Sequence, residues 1–425
     1  MTSALAVGID IGTSGARAVA MTPTFDIIAQ GSAAMADFGE DWRDPAIWWQ
    51  AVESALGRLL ERVEPKRVKA LAVDGTSGTL VPVDRNGAAL AGALMYNDPV
   101  ADPAILTAIR DHAPAESAAH GATSGLAKLI RFQSVAKARR VLHQADWIAG
   151  RFCGRFDVSD ENNALKTGYD PLVRRWPDWI AATGADPMLL PEVVPPATPL
   201  GTVSAASADR FGLSRDTLVV SGTTDGCASF LATGASQPGD GVTALGSSLT
   251  IKVLSDAPVF APRYGIYSHR VGSGWLAGGA SNTGGKVLAH FFSGDRIAEL
   301  SKSIDPAEPS GLDYYPLLAE GERFPIADPH LPPRLTPRPD SDVAFLAGLL
   351  EGIAAIEALA YARLGELGAP ELCSVRSVGG GAGNPVWRAM RQSRLGVPFP
   401  PALSEEAAAG TARLALQGGR EAGVL

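Results

Sequence analysis

The chain has little cysteine. Cys153, Cys227 and Cys373 are three residues in 425, odd in number and far apart, which argues against a disulfide framework and against a zinc site; they read as small buried side chains. Basic runs are also missing. The 37 Lys and Arg are scattered among 45 Asp and Glu, giving a net charge of −8, so nucleic acid and anionic membrane surfaces are poor partners. No basic segment precedes an apolar stretch at the N-terminus, and the apolar helices further on are interrupted by charge. Neither a signal peptide nor a membrane span is therefore expected, and the expected location is the cytoplasm. What is present is an ordinary globular composition, 46% apolar and 19% charged. At this length the chain is long for one core and comfortable for two domains.

The segment Ala4 to Ala20, ALAVGIDIGTSGARAVA, organises the rest. Its two apolar runs are too short for helices and are flanked by glycine, so a hairpin is predicted. Gly12, Thr13, Ser14 and Gly15 form the bend, where small side chains let backbone N–H groups approach an anion. Asp10 stands beside that bend. An acid next to a phosphate cradle points to Mg²⁺, which offsets the repulsion between the two. A plain tight hairpin, with Asp10 bonding its own turn, explains the same residues. A second copy favours the phosphate reading: Gly241 to Val253, GVTALGSSLTIKV, repeats strand, glycine with two hydroxyls (Gly246, Ser247, Ser248) and strand. Two such hairpins suggest two similar domains facing each other, with a nucleotide between them.

Along the chain, Phe25–Met35 can supply a third strand, and Asp44-Pro45 opens a helix with Asp as N-cap and Pro at the first helical position. Trp42, near that start, is available for stacking on a sugar if exposed. The strand Arg67–Val73 runs into Asp74-Gly75-Thr76-Ser77-Gly78-Thr79, a hydroxyl-rich turn at a strand's C-terminal end, where α/β sheets bind ligands; a capped turn is the alternative. Asp98 follows in a polar loop. Residues from about 100 to 190 are expected to be mostly helical, with Lys128, Asp160, Asn162, Asn163 and Lys166 standing out. A Pro-rich stretch leads to a strand ending in Ser221-Gly222-Thr223-Thr224-Asp225-Gly226, and the domain boundary is placed here, giving domains 1–216 and 217–425.

In the second half, residues 278–286 fail as a P-loop, because Ala280 replaces the first glycine and Val287 stands where Ser or Thr would hold Mg²⁺. Gly379 to Gly383 fails as a dinucleotide fingerprint, because Asn384 replaces the last glycine and no ribose-binding acid follows. A mononucleotide base lying on the backbone of Gly380 and Gly381 fits better, flanked by Trp387.

Taken together these pieces resemble the FGGY carbohydrate kinases of the actin-like, sugar kinase and Hsp70 ATPase superfamily. Asp10-Ile11-Gly12-Thr13-Ser14 with Arg17 is similar to the family's first phosphate loop, Gly246-Ser247-Ser248 to its second, Gly222-Thr223-Thr224-Asp225 to its catalytic-base segment, and Gly379-Gly380-Gly381 with Asn384 and Trp387 to its adenosine motif. Within the family the chain most resembles the short D-ribulose kinase branch. It carries Thr76-Ser77 where ordinary xylulokinases have a Gln-Met-His stretch, and Tyr96 and Val100 where a Trp and an Arg are usual.

The resemblance implies an α/β fold of two actin-like, ribonuclease H-like ATPase domains facing across a nucleotide and sugar cleft. It also implies transfer of phosphate from ATP to a ketopentose, D-ribulose first, with D-xylulose or another ketose or polyol as the alternative. Asp225 would be the base, and Asp10 would hold Mg²⁺ through water. Thr13 and Ser14 would hold the γ-phosphate, and Gly246 and Ser247, with Ser248 beside them, the β-phosphate. Gly12, Gly380, Gly381, Asn384 and Trp387 complete the ATP set. Asp10, Gly15, Arg17, Ser77, Asp98 and Asp225 make the sugar set. A homodimer is an expectation by analogy. The distant alternative is an actin-like or Hsp70-like nucleotide switch, for which the Asp74–Thr79 turn and Asp225 have no obvious use.

Overall fold

A computed structural model describes residues 3–425 and divides them into two compact units. The first unit runs to Ala232 and then takes back Glu406–Leu425; the second is Thr233–Glu405. The division falls after 232 and not at the expected 216, because the strand Leu218–Thr224 pairs in parallel with Val68–Gly75 and so belongs to the first sheet. Asp225 consequently lies in the first unit, a correction to its expected place in the second domain.

The first unit is built on six strands in the order Ile27–Ala34, Gly15–Met21, Leu5–Ile11, Val68–Gly75, Leu218–Thr224, Pro199–Thr202. Leu5–Ile11 and Gly15–Met21 make the expected antiparallel hairpin. Leu5–Ile11, Val68–Gly75 and Leu218–Thr224 run parallel. Such strands are covered on both faces and read as continuous apolar runs. Leu5, Val7 and Ile9 join a core with Trp48, Ala51, Ala55 and Leu59 of the helix Pro45–Leu60. Asp44 caps that helix as expected, accepting from the Ala46 N–H at 2.9 Å. On the opposite face Ala6, Ala70, Ala72 and Val220 meet Ala408, Ala412 and Ala415 of the helix Ala407–Glu421. Burying each Leu, Val or Ile side chain contributes about 1.5–3 kcal/mol.

That last helix comes so close because glycine stands at both contacts. A β-carbon on Gly8 would sit 2.0 Å from the Ala408 carbonyl oxygen, and one on Gly410 would sit 1.9 Å from that of Ala228. The close approach places Thr411 directly over the sheet.

Residues 100–190 contain less helix than expected. They form the helices Pro103–His112, Gly125–Phe132 and Gln144–Cys153 and the single-turn helices Glu161–Ala164 and Trp179–Ala182, joined by loops and by the short strands Arg140–His143 and Val158–Asp160. Arg140–His143 pairs with Leu80–Val83 in a sheet of their own.

The second unit holds five strands in the order His269–Val271, Gly274–Ser281, Leu249–Ser255, Asp240–Leu245, Ser374–Val378. Its core is threaded by the helix Asp342–Glu366, which is long and apolar enough to cross a membrane by length and composition, and most of that apolar surface is buried inside the unit. Arg391 and Glu357 form a buried two-point ion pair, at 2.5 and 2.7 Å, and Glu357 also accepts from the Thr243 hydroxyl at 2.6 Å. With its charges paired and hydrogen-bonded, this network avoids the cost of a lone buried ion.

Candidate active site

Three acids gather at the C-terminal ends of three neighbouring parallel strands. Asp10 and Asp74 are register partners, Thr223 is the partner of Asp74 on the other side, and Asp225 opens the helix Asp225–Ala232 immediately after Thr224. Asp10 and Asp225 were expected in different domains; instead both lie in the first unit, at the ends of the two strands that flank Val68–Gly75. Gly222 lies at the bulge in this pairing.

The electrostatics follow from that crowding. Burial raises the Asp10 pKa, with a further push from the charge of Asp225, while hydrogen bonding with Asp74 and the Arg17 guanidinium 3.3 Å away draw it back. Asp74 is fully buried, and burial together with the charge of Asp10 holds its pKa well above the usual carboxylate range. Of two carboxyls this close, the deeper Asp74 is raised further. Its Oδ2 accepts from the Thr411 hydroxyl. Its Oδ1 is buried and has no hydrogen-bond partner among the described residues.

The neighbouring turn is built from one chain of hydrogen bonds. The Tyr96 N–H donates to Thr79 Oγ1 at 2.9 Å, Thr79 and Thr76 share a bond of 2.6 Å, and the Thr76 hydroxyl and N–H donate to Gln144 Oε1 at 2.9 and 3.1 Å. Lys128, fully buried with its pKa lowered to about 8 by desolvation, donates to the carbonyls of Gly78 and Met95 at 2.7 and 2.6 Å. Thr76, Thr79 and Lys128 thus spend their polar groups on the turn itself. Ser77 does not: its Oγ is buried and has no partner.

Other expected sugar residues have structural tasks. Asp98 is gripped at two points by Arg43, at 2.6 and 3.0 Å, and also accepts from the Met95 N–H at 2.8 Å, which ties down its own loop. Both of its oxygens are taken, so it offers a sugar little. A β-carbon on Gly15 would lie 2.3 Å from the Ala33 carbonyl, so strand packing accounts for that glycine. Arg17, half exposed, bridges Asp10 and Glu406, both at 3.3 Å.

The bend of the first hairpin is closed by the Gly12 N–H donating to the Gly15 carbonyl at 3.0 Å. Among the described residues the Thr13 and Ser14 N–H groups have no acceptor in the chain, which leaves them for an anion. In the second unit Gly246 and Ser247 are exposed at the bend between Asp240–Leu245 and Leu249–Ser255. Their carbonyls accept from Gly285 and Lys286 at 2.8 and 3.1 Å, at the start of the helix Gly285–Phe291.

The expected adenosine motif is reassigned in part. Asn384 caps the helix Pro385–Leu395 with its Oδ1, accepting from Val386 and Trp387 at 3.1 Å each, and its Nδ2 donates to Ser301 Oγ at 2.9 Å. Trp387 is buried in the core and donates from Nε1 to the Leu350 carbonyl at 3.1 Å, so its ring is not free to stack on a base. Its edge lies beneath Gly381, where a β-carbon would come within 2.5 Å, and so it props up the glycine loop. Gly380 stays exposed and open.

From sequence Asp74 stands only as the first residue of a hydroxyl-rich turn, and neither it nor Thr411 is given a role. An acid at the end of a buried strand beside Asp10 was the available signal for the first; nothing local marks the second.

Among the described residues no group of three or more His, Cys, Asp or Glu is placed to ligate a metal. Several acids against Arg17 and Lys166 nevertheless fit a divalent cation held chiefly by phosphate oxygens and water, the usual habit of Mg²⁺.

Comparison with known proteins agrees with this geometry. The N-terminal domain model of the FGGY family of carbohydrate kinases matches residues 5–118, and the C-terminal domain model matches residues 241–418. A xylulose kinase of Streptomyces coelicolor is 29% identical over 76% of this chain and 68% of its own. A gluconokinase of Bacillus subtilis is 24% identical over 76% of this chain and 69% of its own. The crystal structure of xylulose kinase from Rhodospirillum rubrum superposes with a TM-score of 0.84, at 24% identity, over 98% of this chain and 90% of that one. The fold is thus the two-domain, actin-like α/β fold of the FGGY sugar kinases.

Proposed function

The chain belongs to the FGGY family of carbohydrate kinases, and from that premise we propose that it is a pentulokinase, transferring the γ-phosphoryl group of ATP to a hydroxyl of D-ribulose. The observation that carries the reading is Asp225 beside Asp10 and next to a turn whose Ser77 hydroxyl is left without a partner. Phosphoryl transfer needs an acceptor oxygen held in line and the charge on the phosphoryl oxygens offset. Asp225 orients the sugar hydroxyl and takes its proton. The new bond joins that oxygen to the γ-phosphorus, and the bond to the β-phosphate oxygen breaks, releasing ADP. In a loose transition state the proton leaves late, so placement of Asp225 matters more than a raised pKa.

Thr13 and Ser14 hold the γ-phosphate with their free N–H groups. Gly246, Ser247 and Ser248 take the β-phosphate, and Gly380 and Gly381 the adenosine. Mg²⁺, met by Asp10 through water, would offset charge on the phosphates. The expected cytoplasmic site of action suits a small phosphorylated sugar, and a homodimer is part of the same proposal.

The choice of sugar rests on the turn, where Thr76-Ser77 stands in place of the stretch expected of an ordinary xylulokinase. D-Xylulose is the second reading, favoured by the xylulose kinases among the relatives. Coupled ADP release with D-ribulose, D-xylulose and D-gluconate tests both. D-Ribulose giving the highest kcat/KM supports the proposal, D-xylulose at the top replaces it with the second reading, and ATP turnover indifferent to every sugar removes both.

A further inference from the structure

The edge strand Ile27–Ala34 and its neighbour Gly15–Met21 form the floor of a cavity of about 420 Å³ whose lining groups, Arg17 apart, have no part in the proposed transfer. Ser32 is the register partner of Arg17, and Gln30 that of Val19, so Arg17, Gln30 and Ser32 project from one face of the two strands. Arg17 and Glu406 line the cavity on this face. Arg58 and Arg62 reach it over the sheet edge, from the last turn of the helix Pro45–Leu60 and from just beyond its end. All of these residues belong to the first unit.

The charge of this cavity runs against that of the chain. Three guanidiniums face one carboxylate, in a protein whose net charge is −8. Arg17 is already matched, since it bridges Asp10 and Glu406 at 3.3 Å each. Arg58 and Arg62 are not. Among the described residues neither meets a carboxylate, and each donates from Nη1 to a carbonyl, that of Ser32 at 2.5 Å and that of Gln30 at 3.4 Å. Those bonds cover an edge strand, yet they take only one of the five N–H donors that each guanidinium carries. Like charges four residues apart at a helix end repel, and one cation there would serve the helix dipole. A pair so placed is suited to a shared anion. The exposed side chains of Gln30 and Ser32, which have no hydrogen-bond partner among the described residues, stand beside it.

We infer that this cavity is an anion site separate from the phosphate loops, holding the phosphate of a small phosphate monoester between Arg58 and Arg62, with Gln30 and Ser32 on its remaining oxygens. Two unmatched positive charges balance the roughly two negative charges of such a group near neutral pH. A single carboxylate would leave one of them unmet. Guanidiniums meet phosphate oxygens in parallel pairs of hydrogen bonds, which gives the site its selectivity. The volume lies within the range of small-molecule sites and leaves room for an organic body beyond the phosphate. Inorganic phosphate offers the same group without that body.

The test is calorimetric titration of the full-length protein, and of the double variant Arg58→Gln, Arg62→Gln, with glycerol 3-phosphate, inorganic phosphate and glycerol. Ionic strength is matched with chloride, and ADP is kept in excess so that nucleotide fills its own site. Glutamine keeps a donor for each strand carbonyl and removes the charge; thermal melting is followed alongside. The expected result is that the ester binds the parent more tightly than inorganic phosphate, that glycerol does not bind, and that the double variant loses at least ~10-fold in affinity for both phosphates. Its ADP affinity should stay within about twofold of the parent. Should the double variant melt early, Arg62→Gln alone carries the comparison, because its 3.4 Å bond is the weaker cover. Equal phosphate binding by parent and variant puts the anion elsewhere and overturns the site, as does the absence of heat above the chloride control up to about 10 mM. Inorganic phosphate binding at least as tightly as the ester overturns the ester as ligand. None of these readouts requires a sugar to be phosphorylated, so this site and the kinase reading fail separately.

Discussion

Asp10 and Asp74 stand opposite each other on parallel strands, and the C-terminal helix reaches over the sheet to hydrogen-bond Asp74 through Thr411. The chain's last segment therefore supports an acid on the central strands, although nearly the whole sequence separates the two. Burial and the charge of Asp10 raise the Asp74 carboxyl well above its usual range, and a neutral Asp74 is matched by its amide analogue, whose oxygen accepts from Thr411 as Oδ2 does. Asp74→Asn should therefore change unfolding free energy by less than about 1 kcal/mol, while Thr411→Val, which strips Asp74 of its donor, should cost about 1–2 kcal/mol. Urea unfolding of both variants checks this. Asp74→Asn costing more than Thr411→Val would show that Asp74 is ionised.

Asp225→Asn should lower kcat by roughly 10²–10⁴-fold, the range for loss of a general base, and leave ATP KM within a few fold. Asparagine keeps the shape and the helix start but cannot take the proton. Coupled ADP release measures both constants, and a variant retaining full turnover would remove Asp225 from the mechanism.

Trp387 divides two roles cleanly. As a buried prop under the glycine loop that donates to the Leu350 carbonyl, its replacement by Phe should lower stability by about 1–3 kcal/mol through lost packing and an unmet carbonyl. Nucleotide affinity of the folded variant should stay within about threefold. Were Trp387 a stacking residue, ADP binding measured by calorimetry would weaken sharply with little loss of melting temperature.

Asp160 supplies a pH signature. Burial, reinforced by the charge of Asp146, pushes its carboxyl up to about 7, against hydrogen bonds from Asn163 and from the N–H groups of Asn162 and Asn163. The folded pKa thus lies above the unfolded one, near 3.8. The folded state holds the proton longer, so this contribution to stability is complete below pH ~4 and is lost as pH rises towards ~7. Asp160→Asn retains the helix cap and cannot titrate. The stability of the parent relative to this variant should fall by about 1–3 kcal/mol between pH 4 and 7. Parallel denaturation curves across that range would refute it.

The local sequence was enough for whatever depends on short-range pattern. Apolar runs flanked by glycine gave both hairpins, Asp44-Pro45 marked a helix start, and hydroxyl-rich residues after a buried strand marked the Thr76–Thr79 turn. Those features rest on strand periodicity, backbone sterics and caps, which act within a few residues. The rest required pairing between distant segments. Leu218–Thr224 joined the first sheet instead of opening the second domain, because its partner strand lies about 150 residues upstream. That pairing brought Asp225 beside Asp10, and helix packing through Gly8 and Gly410 brought Thr411 to Asp74. Asn384 and Trp387 looked like ligand residues by motif, yet the fold spends one on a helix cap and buries the other. Which polar groups are left over for a ligand can be counted only after the chain has satisfied its own hydrogen bonds, and that accounting is a property of tertiary structure.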